Sequence, residues 1–112
     1  MDDDKLKIII LFKNFFNDIY QSLLNCNRNH LELKQIMIYE CNLYLKDLYL
    51  ANDYKDIELK KKIKEELIIR IKHLGSLVTM LYQNKLISHK KYLKLGNDLE
   101  ILLRLLNGWK NK

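Results

Sequence analysis

A chain of 112 residues and 13.6 kDa has room for one compact domain burying roughly two-thirds of the surface its unfolded form exposes, and no room for two. Apolar residues at 48% and charged residues at 30% exclude intrinsic disorder, and no uncharged run approaches the about 18 residues of a membrane span. The absence of Pro, with three Gly (Gly75, Gly96 and Gly108), leaves too little turn chemistry for a sandwich or barrel, and the formal charge of +6 suits a polyanionic partner without requiring one.

The amino terminus, Met1-Asp2-Asp3-Asp4, lacks the basic segment of a secretory signal, so the expected location is cytoplasmic. From Asp3 to Asn25, Ile8, Phe12, Phe15, Ile19 and Leu23 recur at alternating spacings of four and three, with Phe16 and Tyr20 widening the stripe: an amphipathic helix. The polar link Asn25-Cys26-Asn27-Arg28-Asn29 ends it, and Asn29 followed by Glu32 reads as a capping box opening a second helix that runs to Asn52. Asp53 and Asp56 offer acceptors to the first amides of a third helix reaching Asn84, with Leu59, Ile63, Leu67, Ile71, Leu74, Val78 and Leu81 in one stripe. Gly75 inside it suggests close helix packing. Ser88 is a natural N-cap for a fourth helix, where Tyr92, Leu95, Leu99, Leu102, Leu106 and Trp109 form the seam and Gly108 supplies the stop. Helices at about 3–25, 30–52, 54–84 and 89–107, joined by short polar links, predict an all-α fold. The architecture expected is an up-down-up-down antiparallel four-helix bundle filling residues 1–112 as a single domain.

The second helix carries more apolar surface than such a bundle needs. Met37, Cys41, Tyr44, Leu48 and Ala51 make one stripe, while Ile36, Tyr39, Leu43 and Leu50 make another about half a turn away. Ile69 and Met80 on the third helix, and Leu93 and Ile101 on the fourth, also lie outside the core arcs. These eight residues are the expected interface of a homo-oligomer.

Catalytic and metal signatures are missing. None of His30, His73 and His89 has a Glu three places before it, no Cys/His cluster has zinc spacing, and no phosphate-cradling Gly-rich loop or nucleophile elbow occurs. Glu65 and Glu66 are adjacent, so they diverge on a helix instead of pairing. Cys26 and Cys41 read as free thiols. The expectation is a non-enzyme without cofactor or metal. The positive charge concentrates in residues 85–112, where Lys85, Lys90, Lys91, Lys94, Arg104, Lys110 and Lys112 face Asp98 and Glu100. Lys90, Asn97 and Arg104, spaced by seven with Lys94 beside them, form a stripe suited to phosphate contacts of little sequence preference. Lys60, Lys61 and Lys64 on the third helix are further phosphate-contacting candidates, set against the alternative of a solvated face diluted by Glu58, Glu65 and Glu66.

Leu86-Ile87-Ser88-His89-Lys90-Lys91-Tyr92-Leu93 looks like an Ile-Ser-x-x-x-Tyr helix start, and Arg104-Leu105-Leu106-Asn107-Gly108-Trp109 looks like a closing Arg-x-Leu-Gly-Gly-Trp. With Leu50-Ala51-Asn52-Asp53-Tyr54-Lys55 at the end of the second helix, the chain from Asn29 to Trp109 resembles the Avd-like four-helix bundle family, the accessory variability determinants of diversity-generating retroelements. The resemblance implies a non-enzymatic, ring-like pentamer that binds a reverse transcriptase with its RNA template and supports mutagenic cDNA synthesis. Under it, Lys90, Lys94 and Arg104 are the first choices for contact with RNA or DNA; Arg104 has an equal alternative in an inter-subunit ion pair with Asp98 or Glu100. The rival expectation is a stand-alone helical module that docks a partner protein and has no nucleic-acid role.

Overall fold

The first helix forms because its apolar residues repeat on one side of the about 3.6-residue turn, so that a single face can leave water. The computed structural model describes residues 3–26 and 28–110; Met1, Asp2 and Asn27 lie outside them, as do Asn111 and Lys112, and with them the start of the acidic terminus and part of the first polar link. The elements are α1 (Asp3–Leu23), a short 3-10 turn (Arg28–His30), α2 (Leu31–Asp53), α3 (Ile57–Gln83) and α4 (His89–Lys110). No strand occurs among the described residues. Each helix packs against its neighbours in the order α1, α2, α3, α4 and back to α1, an all-α four-helix bundle about 44 Å long.

Packing follows the stripes. Ile8, Phe12, Phe15, Ile19 and Leu23 of α1 are fully buried, as are Met37, Cys41, Tyr44, Leu48 and Ala51 of α2. They meet Leu67, Ile71, Leu74, Val78 and Leu81 of α3, and Leu95, Leu99, Leu102, Leu106 and Trp109 of α4. Each large side chain removed from water contributes about 1.5 to 3 kcal/mol before conformational entropy is charged against it. At the centre the rings of Phe12 and Tyr44 stack with centroids 4.8 Å apart, and Phe15 leans on Phe12 at 5.6 Å. The Tyr44 hydroxyl donates to the backbone carbonyl of Leu67, so the one polar atom in this apolar centre is satisfied and ties α2 to α3. Burial pushes the Tyr44 phenol above its ordinary range, against the pull of the Arg70 guanidinium, which lies 5.3 Å over its ring. It likewise pushes the Cys41 thiol up to about 12, with the Glu40 charge adding to the effect. Both cysteines are free.

The helix ends mix agreement and correction. Asp56 caps α3 by accepting from the amides of Glu58 at 2.9 Å and Leu59 at 3.3 Å, and the Ser88 hydroxyl accepts from the Lys91 amide at 3.1 Å to open α4. Asp53 caps nothing in α3, because it is the last residue of α2. The expected capping box at Asn29 is displaced: the 3-10 turn carries Asn29, and α2 starts at Leu31 with His30 as N-cap. Gly108 does not stop α4, which continues to Lys110 with Trp109 buried; packing of that indole against the bundle outweighs glycine's preference for the end. Lys85, at φ 63°, turns the chain between α3 and α4 in the left-handed region without help from glycine. Two stripe members are also misplaced: Leu59 and Tyr20 are exposed, since each lies at the edge of its helix's core arc near a bundle end.

Candidate nucleic-acid and assembly surfaces

At about 100° per residue, α2 presents three apolar strips, and the bundle buries the one through Met37 and Tyr44. A second strip, Ile36, Leu43 and Leu50, alternates with Glu40 and Asp47. The latter two face α3, where Arg70 pairs with Asp47 and His73 Nε2 lies 3.9 Å from Glu40. Ile36 and Tyr39 are exposed, Tyr39 at 61%, while Leu43 and Leu50 are half-buried. Ile69, exposed at 68%, and Met80 share a strip with His73 on α3, so Ile36, Leu43, Leu50, Ile69 and Met80, five of the eight expected interface residues, fall on the outer α2/α3 face, while Tyr39 turns toward a groove against Phe16 of α1. Leu93 and Ile101 do not join them. Leu93, exposed, lines a groove between α3 and α4, whereas half-buried Ile101 lies seven residues from Lys94 on the flank toward α1. The eight residues therefore cannot form one continuous contact.

A third strip of α2, absent from the two read in its sequence, faces Phe16 and Tyr20 of α1. Phe16 and Tyr20 of α1 border an open groove of about 260 Å³ with Leu45, and Phe16 borders another of about 420 Å³ with Ile38 and Tyr39. Leu31 and Tyr49 are exposed on this same flank of α2, and Leu6, Ile10 and Leu24 are exposed on α1. The signal was present: Leu31, Ile38, Leu45 and Tyr49 repeat at seven and four.

The structure divides the six basic candidates. Lys64 is not a surface residue: it is 8% exposed, its Nζ donates to the backbone carbonyl of Trp109 at 3.1 Å and lies 4.3 Å from the centre of the indole ring. The ammonium satisfies a carbonyl of the last turn of α4 and gains from the ring's negative face, which removes it from the phosphate-contacting set. Lys94 is committed too, with Nζ 2.7 Å from Asp18 and 3.1 Å from Asp98, and Lys91 joins it on Asp18. Asp18, on α1, is thus the acidic centre of an α1/α4 clasp. Burial alone would raise its carboxyl, but hydrogen bonds from Lys91 and Lys94, with their charges, hold it below the usual carboxylate range. The Lys94 ammonium is raised in return, chiefly by its bond to Asp18 and against partial desolvation, with Asp98 assisting. Lys61, Lys90 and Arg104 are exposed and Lys60 is half-buried. Asp98 is drawn to Lys94 within the chain, which weakens the alternative that it pairs with a neighbouring subunit's Arg104.

Because the folded Asp18 carboxyl titrates below its ordinary value of 3.8, its contribution is fully present above that pH and is lost as pH falls through the depressed value. Asp18→Asn is expected to lower stability by about 1 kcal/mol at pH 7, a surface-pair magnitude, and the difference from wild type should shrink as pH falls below 3.8 toward the acid limit of folding. Urea midpoints measured at pH 7 and below pH 3.8 check this. An equal loss at both would assign the effect to packing instead of charge.

Between α3 and α4 lies an open cleft of about 440 Å³ with no Lys or Arg among the described residues of its lining, and the exposed basic residues share helix strips with some of the residues that line it. Lys90, Leu93, Asn97, Glu100 and Arg104 follow one another at spacings of three and four along α4. Lys61, Glu65, Ile68, Lys72, Gly75 and Thr79 do the same along α3, so exposed Lys72 is a basic residue that sequence reading passed over. The floor is apolar, with Ile71, Val78 and Leu99, and Tyr92 stands at one end, stacked on Tyr82 with centroids 4.5 Å apart and planes 9° from parallel. Gly75 does not mark the close helix packing expected of it: an added Cβ would meet Leu99 Cδ1 at an ordinary 3.9 Å, and at Gly96 it would meet nothing within 4 Å. Each glycine costs about 1 kcal/mol against alanine in a helix interior. Their effect in this fold is to leave the groove open. Among the described residues no group of three His, Cys, Asp or Glu is placed to hold a metal ion, and no helix is long and apolar enough to cross a membrane. No family model, curated protein or solved structure matches this chain.

Proposed function

We propose that this chain is a non-enzymatic, oligomeric accessory protein of a diversity-generating retroelement. In this reading it binds a reverse transcriptase and its RNA or cDNA through a basic surface, and a pentameric ring is the favoured assembly. The observation that carries the reading is α2, which buries one apolar strip and leaves Ile36 on a second, Leu31 and Tyr49 on a third, and Tyr39 between them facing solvent. A single bundle has no use for so much exposed apolar surface on one helix, whereas copies packed side by side would cover it. Support for the nucleic-acid role comes from the exposed Lys61, Lys90 and Arg104, the formal charge of +6 and the resemblance of the Ile87-Ser88 and Arg104–Trp109 segments to the Avd-like family.

Phosphate contact makes binding salt-dependent, since each neutralised phosphate of a single strand releases counterions and adds roughly −0.7 to the slope of log affinity against log salt. Binding to single-stranded RNA or DNA is expected to weaken strongly between about 50 and 200 mM salt. Lys90→Ala with Arg104→Ala should flatten the slope by roughly 0.7 per lost contact, while Lys61→Ala acts more weakly. Absence of binding at low salt, or a slope near zero, would rule the reading out. The apolar α1/α2 flank favours the second reading, a helical module that docks a partner protein without nucleic acid; that reading gains if the chain binds a protein partner but no oligonucleotide.

A further inference from the structure

The α3/α4 groove combines features that neither assembly nor charge alone accounts for. Two helix-interior glycines line it, and no packing contact requires either of them. Its volume falls within the range of small-molecule clefts, and its floor is apolar. The Tyr92 ring that borders it is held by a near-parallel stack on Tyr82, with centroids 4.5 Å apart. Asn97, whose amide both donates and accepts, and the Glu100 carboxylate stand among its lining residues. Lys90 and Arg104 lie seven residues to either side of Asn97, about 10 Å along the helix axis in each direction.

We propose that this groove seats one unpaired nucleobase of a single-stranded nucleic acid, stacked against Tyr92 with its edge read by Asn97 and Glu100, while Lys90 and Arg104, about 21 Å apart along α4, hold phosphates of neighbouring nucleotides on either side. The inference rests on the nucleic-acid role proposed above and adds a site and a base preference to it. Guanine is the base that fits: its N1–H and amino group present two adjacent donors to a carboxylate, and its O6 accepts from an amide. Uracil offers a carboxylate one donor between two carbonyls and is disfavoured. Base–aromatic stacking supplies the affinity common to all bases, and the single strand is required because a paired base cannot enter a groove at its Watson–Crick edge.

The test is fluorescence anisotropy with labelled nine-nucleotide uridine oligomers carrying guanosine, uridine or an abasic unit at the centre, repeated with the DNA counterparts. Wild type should bind the guanosine oligomer roughly tenfold more tightly than the abasic one, with RNA and DNA alike if the base alone is read. Gly96→Leu, which fills the groove where a Cβ has free space, should abolish that difference and leave the salt slope unchanged. Glu100→Gln should remove the preference for guanosine over uridine while keeping the gain over the abasic oligomer. Asn97→Ala with Glu100→Gln, both exposed positions, serves should Gly96→Leu fail to fold, and should equalise guanosine and uridine. Wild type that binds all three oligomers equally, or a folded Gly96→Leu that still discriminates, overturns the groove site and leaves the general nucleic-acid role standing. Wild type that binds none of them overturns both. A Gly96→Leu chain whose mass by light scattering falls below that of wild type makes the groove a seam between copies, and the base site is then wrong.

Discussion

Phe12→Ala is expected to cost about 3 to 5 kcal/mol of stability, a large share of the about 5 to 15 kcal/mol available to a domain of this kind. Phe12 is fully buried, stacks on Tyr44 and touches the ring of Phe15, so its loss opens a cavity where α1 meets α2 and strips both neighbours of ring contacts. The surrounding side chains come from helices fixed elsewhere in the bundle and cannot collapse fully into the space. Urea unfolding followed by circular dichroism reads the change. Tyr44→Phe is the companion: it keeps the stack and removes only the hydroxyl bond to Leu67, and a loss of about 1 kcal/mol is expected. If Phe12→Ala cost less than Tyr44→Phe, the aromatic stack would not be the centre of the core.

Ile36→Lys with Tyr39→Lys is expected to reduce the assembly to single chains with little change in the bundle itself. Both side chains are exposed in the isolated chain, so charging them should alter folding by no more than about 0.5 kcal/mol each. Two ammonium groups placed in a contact between copies would be desolvated without partners, which is enough to break it. Light scattering across concentrations, paired with thermal melts, separates the effects. A wild-type mass of one chain at every concentration defeats the expectation of an oligomer; a double variant that melts far below wild type would place this strip in the core. An unchanged mass would move the contact to the α1/α2 flank, where Tyr20→Lys with Tyr49→Lys is the corresponding variant.

The second expectation uses apolar surface that periodicity predicts, yet the structure distributes that surface differently. The strip through Ile36 and Leu43 lies nearer the core strip than the half turn expected, about 120° from it, and Leu43 and Leu50 are half-buried because Glu40 and Asp47 on the same strip face α3. The set of eight does not form one face, since Leu93 and Ile101 sit on opposite flanks of α4. Nothing within α4 says which neighbour lies on which side. For the same reason the α1/α2 flank escaped notice: Phe16 and Tyr20 extend the stripe of α1 on paper, and only the position of α2 decides that Tyr20 is left outside.

The basic residues make the same point more sharply. Lys60, Lys61 and Lys64 form a uniform run in the sequence, and their helical phases alone distinguish them. Lys64 lies about 60° from the axis of its core stripe, close enough for a long side chain to reach inward, and what it finds there is the Trp109 carbonyl 45 residues along the chain. Lys94 and Asp18 are 76 residues apart, and their pair becomes legible only once α1 and α4 lie side by side.

Local order in this protein was written into the residues themselves: the number of helices, the caps at Asp56 and Ser88, and the central core stripe of each helix follow from spacings within about 30 residues, where backbone geometry is set by the helix alone, whereas the ends at Asn29 and Gly108 do not. Tertiary structure decided everything that depends on how one helix is rotated against the next. It buried Lys64, paired Lys94 with Asp18 and Asp98, set the groove between Gly75 and Gly96, and parted the apolar patches among three faces. Those outcomes rest on contacts between distant segments, whose geometry comes from the packing of all four cores together and is carried by no single stretch of the chain.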